Sequence, residues 1–281
     1  MIVVTGAAGQ IGRALIGQLD RRGVRRRAVV RQHRQGAELG GSYVVGDFDD
    51  PDSIRKALEP GARLLLNSSL GPDFVRQQRK LVDLAAEAGV AHVVKVSVRG
   101  ATPGGLLGLG MHGEVEAHLK RSGLAWSILQ PVGFMQNLFT EVAFDGDEQG
   151  RFHGSYGPGR VGYIDARDVA EVAAVLLTRP VGDNETLVLT GSEAPTHEEI
   201  GEVLTRTLGR PVRYVDLTVP AMAERLRAAG MPAAAADDLA TLMRLVGDGR
   251  WASTTGAVRE LTGRPPRTLA DFVTAHADRF R

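Results

Sequence analysis

The sequence predicts an α/β fold: a Rossmann-type, doubly wound parallel sheet carrying a smaller, helix-rich and discontinuous C-terminal cap. Three observations lead there. Short apolar runs alternate with segments of helical periodicity through the first half of the chain, a glycine-rich turn joins the first run to the first helical segment, and the alternation changes after Pro131. At 281 residues and 43% hydrophobic composition the chain can bury one large core or a sheet domain with a cap.

Strands are expected at residues 2–5, 27–30, 43–45, 63–66, 92–96 and 126–129, where apolar runs are bounded by charged or turn-forming residues. Helices are expected between them, at 10–22, 52–58, 73–88 and 111–121. The link 31–42 is short and polar and holds three glycines, which reads as a loop or a single turn. Residues 163–178 read as a strand end followed by a helix that Asp165 caps and Asp168 supports with charge, and 186–190 as another strand, both in the main sheet. The expected first domain is therefore residues 1–133, with 160–191 returning to its sheet, and the expected cap is 134–159 with 192–281. Ligands of such sheets bind at the C-terminal edge of the strands, so substrate selection is expected in the cap.

The chemistry starts at the N-terminus. MIVVTGAAGQIG spaces Gly6, Gly9 and Gly12 as GxxGxxG between a strand and a helix. Gly6 permits a tight turn, Gly9 lets backbone N–H groups approach a pyrophosphate, and Gly12 lets the helix pack on the sheet, which puts phosphates at the helix N-terminus. Gly6, Ala8, Gly9, Gln10, Ile11 and Gly12 are thus the expected cofactor loop. At the end of the second strand a carboxylate would hold a ribose 2′-hydroxyl, whereas a cation accepts a 2′-phosphate. The chain has Arg31 there, then His33 and Arg34, with no acid until Glu38. NADP(H) is accordingly the expected cofactor, with Arg31 as a bidentate clamp; the alternative is an ordinary surface arginine. Asp47 in GDFDD can accept from an adenine amino group with Phe48 against the ring, or can be a plain loop carboxylate before a helix.

Composition narrows the partners. The formal net charge of +1 argues against nucleic acid, whose binding needs a concentrated positive field. The basic run 21–27 reads as a solvated helix end. The absence of cysteine excludes disulfides, thiolate catalysis and cysteine-bound zinc, and it is compatible with a reducing cytoplasm. The chain opens directly on a strand, and no apolar run approaches the ~18 residues of a membrane helix, so a soluble cytoplasmic monomer or homodimer with a small-molecule substrate, no membrane partner and no metal is expected.

TGAAGQIG, Arg31, His112 with Glu114 and Glu116, QPVGFMQN, YIDARDVA and, near the end, ELTGRPPRTLADF together resemble the NmrA-like atypical short-chain dehydrogenase/reductases over nearly the whole chain. The His-x-Glu-x-Glu pattern is most similar to the branch containing NADPH:quinone oxidoreductase type 2 and triphenylmethane reductase, which reduce quinones or dyes. Other branches are NADP-binding regulators. Short-chain reductases usually carry Tyr-x-x-x-Lys, in which the lysine depresses the tyrosine pKa for proton exchange. Here Tyr43, Tyr156, Tyr163 and Tyr214 are followed four residues on by Asp47, Arg160, Arg167 and Thr218, so that pair is missing. Counted from Glu116, His112 stands at the lysine position and Gly108 at the tyrosine position.

The resemblance implies the remaining site residues. His112 is the first candidate for catalysis, holding the nicotinamide ribose or donating a proton; its alternative is a structural bond to Glu116, one helical turn on. Ser97 ends the fifth strand at a substrate-facing position, and Lys95 lies two residues earlier on the same face as a cofactor contact; either can instead be an ordinary strand-end polar residue. Asn67, Ser68 and Ser69 border the pyrophosphate or nicotinamide ribose, and Pro131 and Phe134 flank the nicotinamide amide. The implied function is NADPH-dependent hydride transfer to a small conjugated or aromatic acceptor, quinone-like or a secondary-metabolite intermediate. The competing reading is a non-catalytic NADP(H)-binding sensor.

Overall fold

In the computed structural model, residues 1–145 and 150–280 are described. In chain order the elements are β1 (Ile2–Val4), α1 (Gln10–Arg21), β2 (Arg26–Val30), α2 (His33–Leu39), β3 (Ser42–Val45), α3 (Pro51–Arg55), β4 (Arg63–Leu66), α4 (Phe74–Glu87), β5 (His92–Val96), α5 (Leu107–Lys120) and β6 (Trp126–Pro131). There follow α6 (Asn137–Asp145), β7 (Arg151–Gly154), α7 (Ala166–Thr178), β8 (Glu185–Leu189), α8 (His197–Leu208), β9 (Arg213–Asp216), α9 (Val219–Ala228), α10 (Ala233–Leu245), α11 (Ala257–Thr262) and α12 (Leu269–Ala275). Two units result, the first made of Met1–Pro131 and Ala166–Val188, the second of Val132–Asp165 and Leu189–Arg281.

The first unit is a seven-stranded sheet in the order β3-β2-β1-β4-β5-β6-β8. The paired registers from β3 through β6 are all parallel. The order reverses between β1 and β4, and that switch point opens a crevice outside the carboxyl ends of these two strands. Thr5, buried just past β1, ties the two strand ends together: its hydroxyl bonds the carbonyls of Leu65 and Asn67 at 2.8 and 2.9 Å and receives the Asn67 N–H at 3.0 Å. Alternate strand residues point to opposite faces. Val3, Leu64, Leu66, Val93 and Ile128 pack with Leu81, Val82 and Leu119 from α4 and α5, while α1 and α7 pack against each other and α7 against the sheet. α7 is apolar nearly all round (Val169, Ala170, Val172, Ala173, Leu176 and Leu177 are all buried), as a covered helix must be.

The link 31–42 is a helix, α2, not the expected loop. Its start is a capping box in which Gln32 and Gln35 satisfy each other's backbone N–H groups. One of its three glycines is demanded by packing, since a Cβ on Gly36 would stand 2.3 Å from the Tyr43 ring. Nor is the basic run wholly solvated. Arg26 is buried, doubly bonded to Asp20 at 2.9 Å, and donates to the carbonyls of Leu39 and Gly40, so it clasps the C-terminal ends of α1 and α2.

In the second unit α6 and α8 to α12 surround a two-stranded parallel sheet of β7 and β9, which the helix-rich expectation missed. The anticipated strand at 163 is a single bridge between Ile164 and Phe134, outside the seven-stranded sheet. Two aromatic cores hold this unit: Phe139, Phe272 and Phe280 mutually in contact, and Tyr156 stacked on His197 at 3.7 Å. Among the described residues no helix is long and apolar enough to cross a membrane.

Two buried histidines, one in each unit, couple stability to pH. Burial, with Arg63 and Arg179 nearby, holds His92 of the first unit down to about 4, and burial holds His197 of the second down to about 3. Unfolded histidines titrate near 6.5, so below that pH the unfolded chain binds more protons and stability falls until the folded values are reached. Urea denaturation at pH 7.5, 6 and 5 should show a loss of up to about 1.4 kcal/mol per pH unit from His92 in the first unit, whereas in the second unit the Glu141 carboxyl, raised by burial to about 7, gains protons on folding over the same range and offsets His197. His92→Gln should make the pH slope of the first unit shallower, and an unchanged slope would show that His92 does not carry it.

Candidate functional site

At the switch point the first unit contains a cleft of about 500 Å³ bordered by Gly6, Ala8, Gly9, Arg31, Asp47, Phe48, Ser68 and Ser69, all named from the sequence. Gln35, Asp49 and Gln77 also border it and were not anticipated. Gln35 comes with the unforeseen α2, and Gln77 reaches the cleft by bonding Asp49 at 3.0 Å. Gln10, Ile11 and Gly12 open α1 at the cleft's edge. Asn67 lies beneath the turn, where a Cβ on Gly6 (φ +61°) would stand 2.7 Å from its carbonyl oxygen.

The glycines divide by what constrains them. A Cβ on Gly12 would fall 2.3 Å from the Gly6 oxygen and 2.6 Å from the Ala7 Cα, a backbone collision with no relief. A Cβ on Gly9 would meet only the Gly6 oxygen, at 3.2 Å. The fold itself therefore asks for glycine at 12, while space in the cleft is what glycine at 9 preserves.

The electrostatics suit an anion. Gly9 is the N-cap of α1 and supplies no side-chain cap, and the first turn carries no acidic residue, so the helix start is left to an external acceptor. The nearby carboxylates are matched to cations: Glu38 is held below its usual range by Arg13 and then Arg34, and Asp49 by Arg76. Among the described residues the side chain of Arg31 has no hydrogen bond or ion pair, although its backbone N–H donates to Gln35 at 3.1 Å. Asp47 turns one oxygen to the Asp49 N–H at 2.9 Å, and the cap of α3 is Asp50. These residues fit a dinucleotide phosphate: backbone N–H groups at α1, a guanidinium at the end of β2, and a carboxylate and a ring after β3.

A second cluster in the first unit joins β5 and α5. Lys95 has no exposed surface; its Nζ donates to the Val96 carbonyl at 2.7 Å and lies 3.1 Å from Nδ1 of His112. His112 does not pair with Glu116, the alternative its helical spacing had suggested. Glu116 instead receives the Ser97 hydroxyl at 2.5 Å, Gln130 Nε2 at 2.9 Å and Lys120 at 3.3 Å. Burial, and then the Lys95 charge, push His112 down to about 2, while burial opposed by Glu116 leaves Lys95 at about 7. Pro131 ends β6, where its carbonyl accepts the Arg99 N–H at 2.9 Å. Phe134 belongs to the second unit, paired with Ile164.

The sequence matches the NmrA-like family over residues 1–273. The chain belongs to that family. Among characterised relatives, the NAD(P)H azoreductase of Xenophilus azovorans is 35% identical over 284 residues, covering 100% of this chain and 99% of its own. The (4-alkanoyl-5-oxo-2,5-dihydrofuran-3-yl)methyl phosphate reductase of Streptomyces griseus is 33% identical with the same coverage of both chains. The crystal structure of the NADPH-dependent quinone oxidoreductase of Escherichia coli complexed with NADPH superposes with a TM-score of 0.88 at 27% identity, over 99% of this chain and 100% of that one.

Within this NmrA-like chain the second unit holds its own cavity of about 770 Å³, walled by Tyr156, Met222, Leu226, Leu239 and Met243, with Glu141 and Arg225 as charged members. Burial, opposed by a hydrogen bond from Tyr156, raises the Glu141 carboxyl to about 7. No motif pointed to these residues, because an apolar wall assembled from α9 and α10 looks like any amphipathic helix pair in sequence.

Substitution separates the two glycines. Gly12→Val should cost about 3 kcal/mol or more and unfold the first unit, whereas Gly9→Val should stay within about 1 kcal/mol of the parent. Chemical denaturation of both variants followed by circular dichroism measures the difference, and equal losses would refute the division.

Proposed function

We propose that this protein is an NADPH-dependent reductase delivering hydride to a small conjugated or aromatic acceptor of the quinone or azo type. The observation that carries the reading is the cleft at the β1/β4 switch point, bordered both by an uncapped helix start and by the Arg31 side chain, which has no hydrogen bond or ion pair among the described residues. Named relatives at 33 to 35% identity along the full chain are reductases, which favours turnover over a purely sensing role.

In this reading the first turn of α1 receives the pyrophosphate, Arg31 the 2′-phosphate, Asp47 and Phe48 the adenine, and Asn67, Ser68 and Ser69 the sugar and phosphates that follow. A bound reduced nicotinamide supplies the hydride. Transfer to a conjugated acceptor depends on positioning more than on a strong acid, which accommodates the missing Tyr-x-x-x-Lys pair. Pro131 and Phe134 are proposed at the nicotinamide end, and Ser97 is proposed to act through its bond to Glu116. The second unit's own cavity is mostly apolar, with Glu141 and Arg225 as charged members, a lining that suits a flat aromatic ligand.

Oxidation of NADPH followed at its absorbance maximum against a panel of quinones, azo dyes, enones and imines tests the reaction; no turnover with any of them would sink it. Arg31→Ala should weaken NADPH binding by about 1.5 to 3 kcal/mol and leave NADH nearly unchanged, because only the charged hydrogen bonds to the 2′-phosphate are lost. Titration calorimetry with both cofactors decides, and parallel losses would remove Arg31 from that role.

A further inference from the structure

Lys95 is fully buried and, among the described residues, has no carboxylate bonded to it, so the cost of burying its amine is met by other partners. Its neighbours in register, Leu66 on β4 and Ile128 on β6, are apolar. From α4 the Phe74 ring lies 5.5 Å from Nζ and meets the His112 ring edge-on at 4.8 Å. From α5 the titratable groups facing it are His112, in contact, and Glu116, which acts only at a distance because three other donors occupy its oxygens. The amine thus has two hydrogen-bond partners among the described residues, the Val96 carbonyl and Nδ1 of His112.

An ammonium has donors and no acceptor. Its bond to Nδ1 therefore uses the nitrogen lone pair, and the single proton of a neutral imidazole must then be on Nε2. The Phe74 ring packed against the imidazole restricts its rotation, so the two nitrogens cannot exchange places cheaply. We infer that Lys95 is a positioning residue that locks His112 in the neutral Nε2–H tautomer, making His112 a fixed hydrogen-bond donor and not a titrating acid. The low pKa of His112 agrees with this, since an imidazolium beside a buried ammonium is doubly disfavoured.

The consequence for the reaction rests on the proposed reductase function. Hydride addition brings two electrons and one proton's worth of hydrogen to the acceptor and leaves a negative charge on its oxygen or nitrogen. With His112 at the nicotinamide end, the place the family resemblance implies for it, the Nε2–H group stabilises that charge by hydrogen bonding, and solvent water supplies the proton that completes the product. His112 is then the donor whose loss slows turnover, and Lys95 acts through it.

Long-range ¹H–¹⁵N correlation spectra of the full-length chain labelled at histidine report the tautomer without any turnover. The His112 signals are assigned by their disappearance in His112→Gln. At pH 6 the parent should show His112 protonated at Nε2 alone. Lys95→Met should admit the Nδ1–H form or the imidazolium, and Lys95→Gln, whose amide still donates, should restore the Nε2–H form. In the reductase assay Lys95→Met should lower kcat roughly 10- to 100-fold with KM for NADPH little changed, and Lys95→Gln should recover most of it. An Nδ1–H signal in the parent, or an unaltered tautomer in a folded Lys95→Met, overturns the inference. If Lys95→Met does not fold, the parent and Lys95→Gln spectra still decide it. A chain inactive with every acceptor would fault the reductase reading, while the spectra would judge the tautomer by themselves.

Discussion

The close approach of α1 to the turn after β1 is the constraint on which the first unit depends. Gly12 lies so near the Gly6 oxygen and the Ala7 backbone that no side chain fits. That contact seats the helix start at the carboxyl end of β1, next to the sheet's central strand β4, and Thr5 locks β1 to β4 immediately below it. Helix dipole, backbone donors and the β1/β4 crevice coincide because Gly6, Ala7 and Gly12 let two chain segments come together. Everything proposed for the cofactor follows from that coincidence, and the charge matching around Glu38 and Asp49 keeps the neighbouring acids from opposing it.

Much of this was legible in the residues, for reasons that can be named. The strands at 63–66 and 92–96 were read correctly to the residue, because buried parallel strands are continuous apolar runs with sharp polar ends. α2 was missed because glycines mark loops on average, whereas here Gly36 is a packing residue beneath Tyr43 and the helix start is a glutamine box instead of the usual serine or aspartate. β7 and β9 escaped notice since each is four residues long and its partner lies about sixty residues away, a pairing no local pattern announces.

The cleft residues were largely anticipated, but the organisation around His112 was not. Helical spacing pointed to Glu116, four residues on. The partner is instead Lys95, from the strand beneath, with Glu116 drawn to Ser97 and Gln130. Side-chain spacing along one helix counts neighbours within that helix and is blind to what a buried strand presents to it. The same blindness hid the wall of the second unit's cavity.

The chain also leaves the sheet before completing it. β6 ends at Pro131, the backbone then builds part of the second unit, and β8, which lies beside β6, finishes only at Leu189. On a ribosome, the 58 residues between those two points take roughly 3 to 12 s to synthesise at bacterial and eukaryotic rates. Throughout that interval β6 is an apolar edge with unpaired backbone groups, a template for association with other nascent chains. A polypeptide cut before β8 begins at Glu185 would carry that open edge for its lifetime.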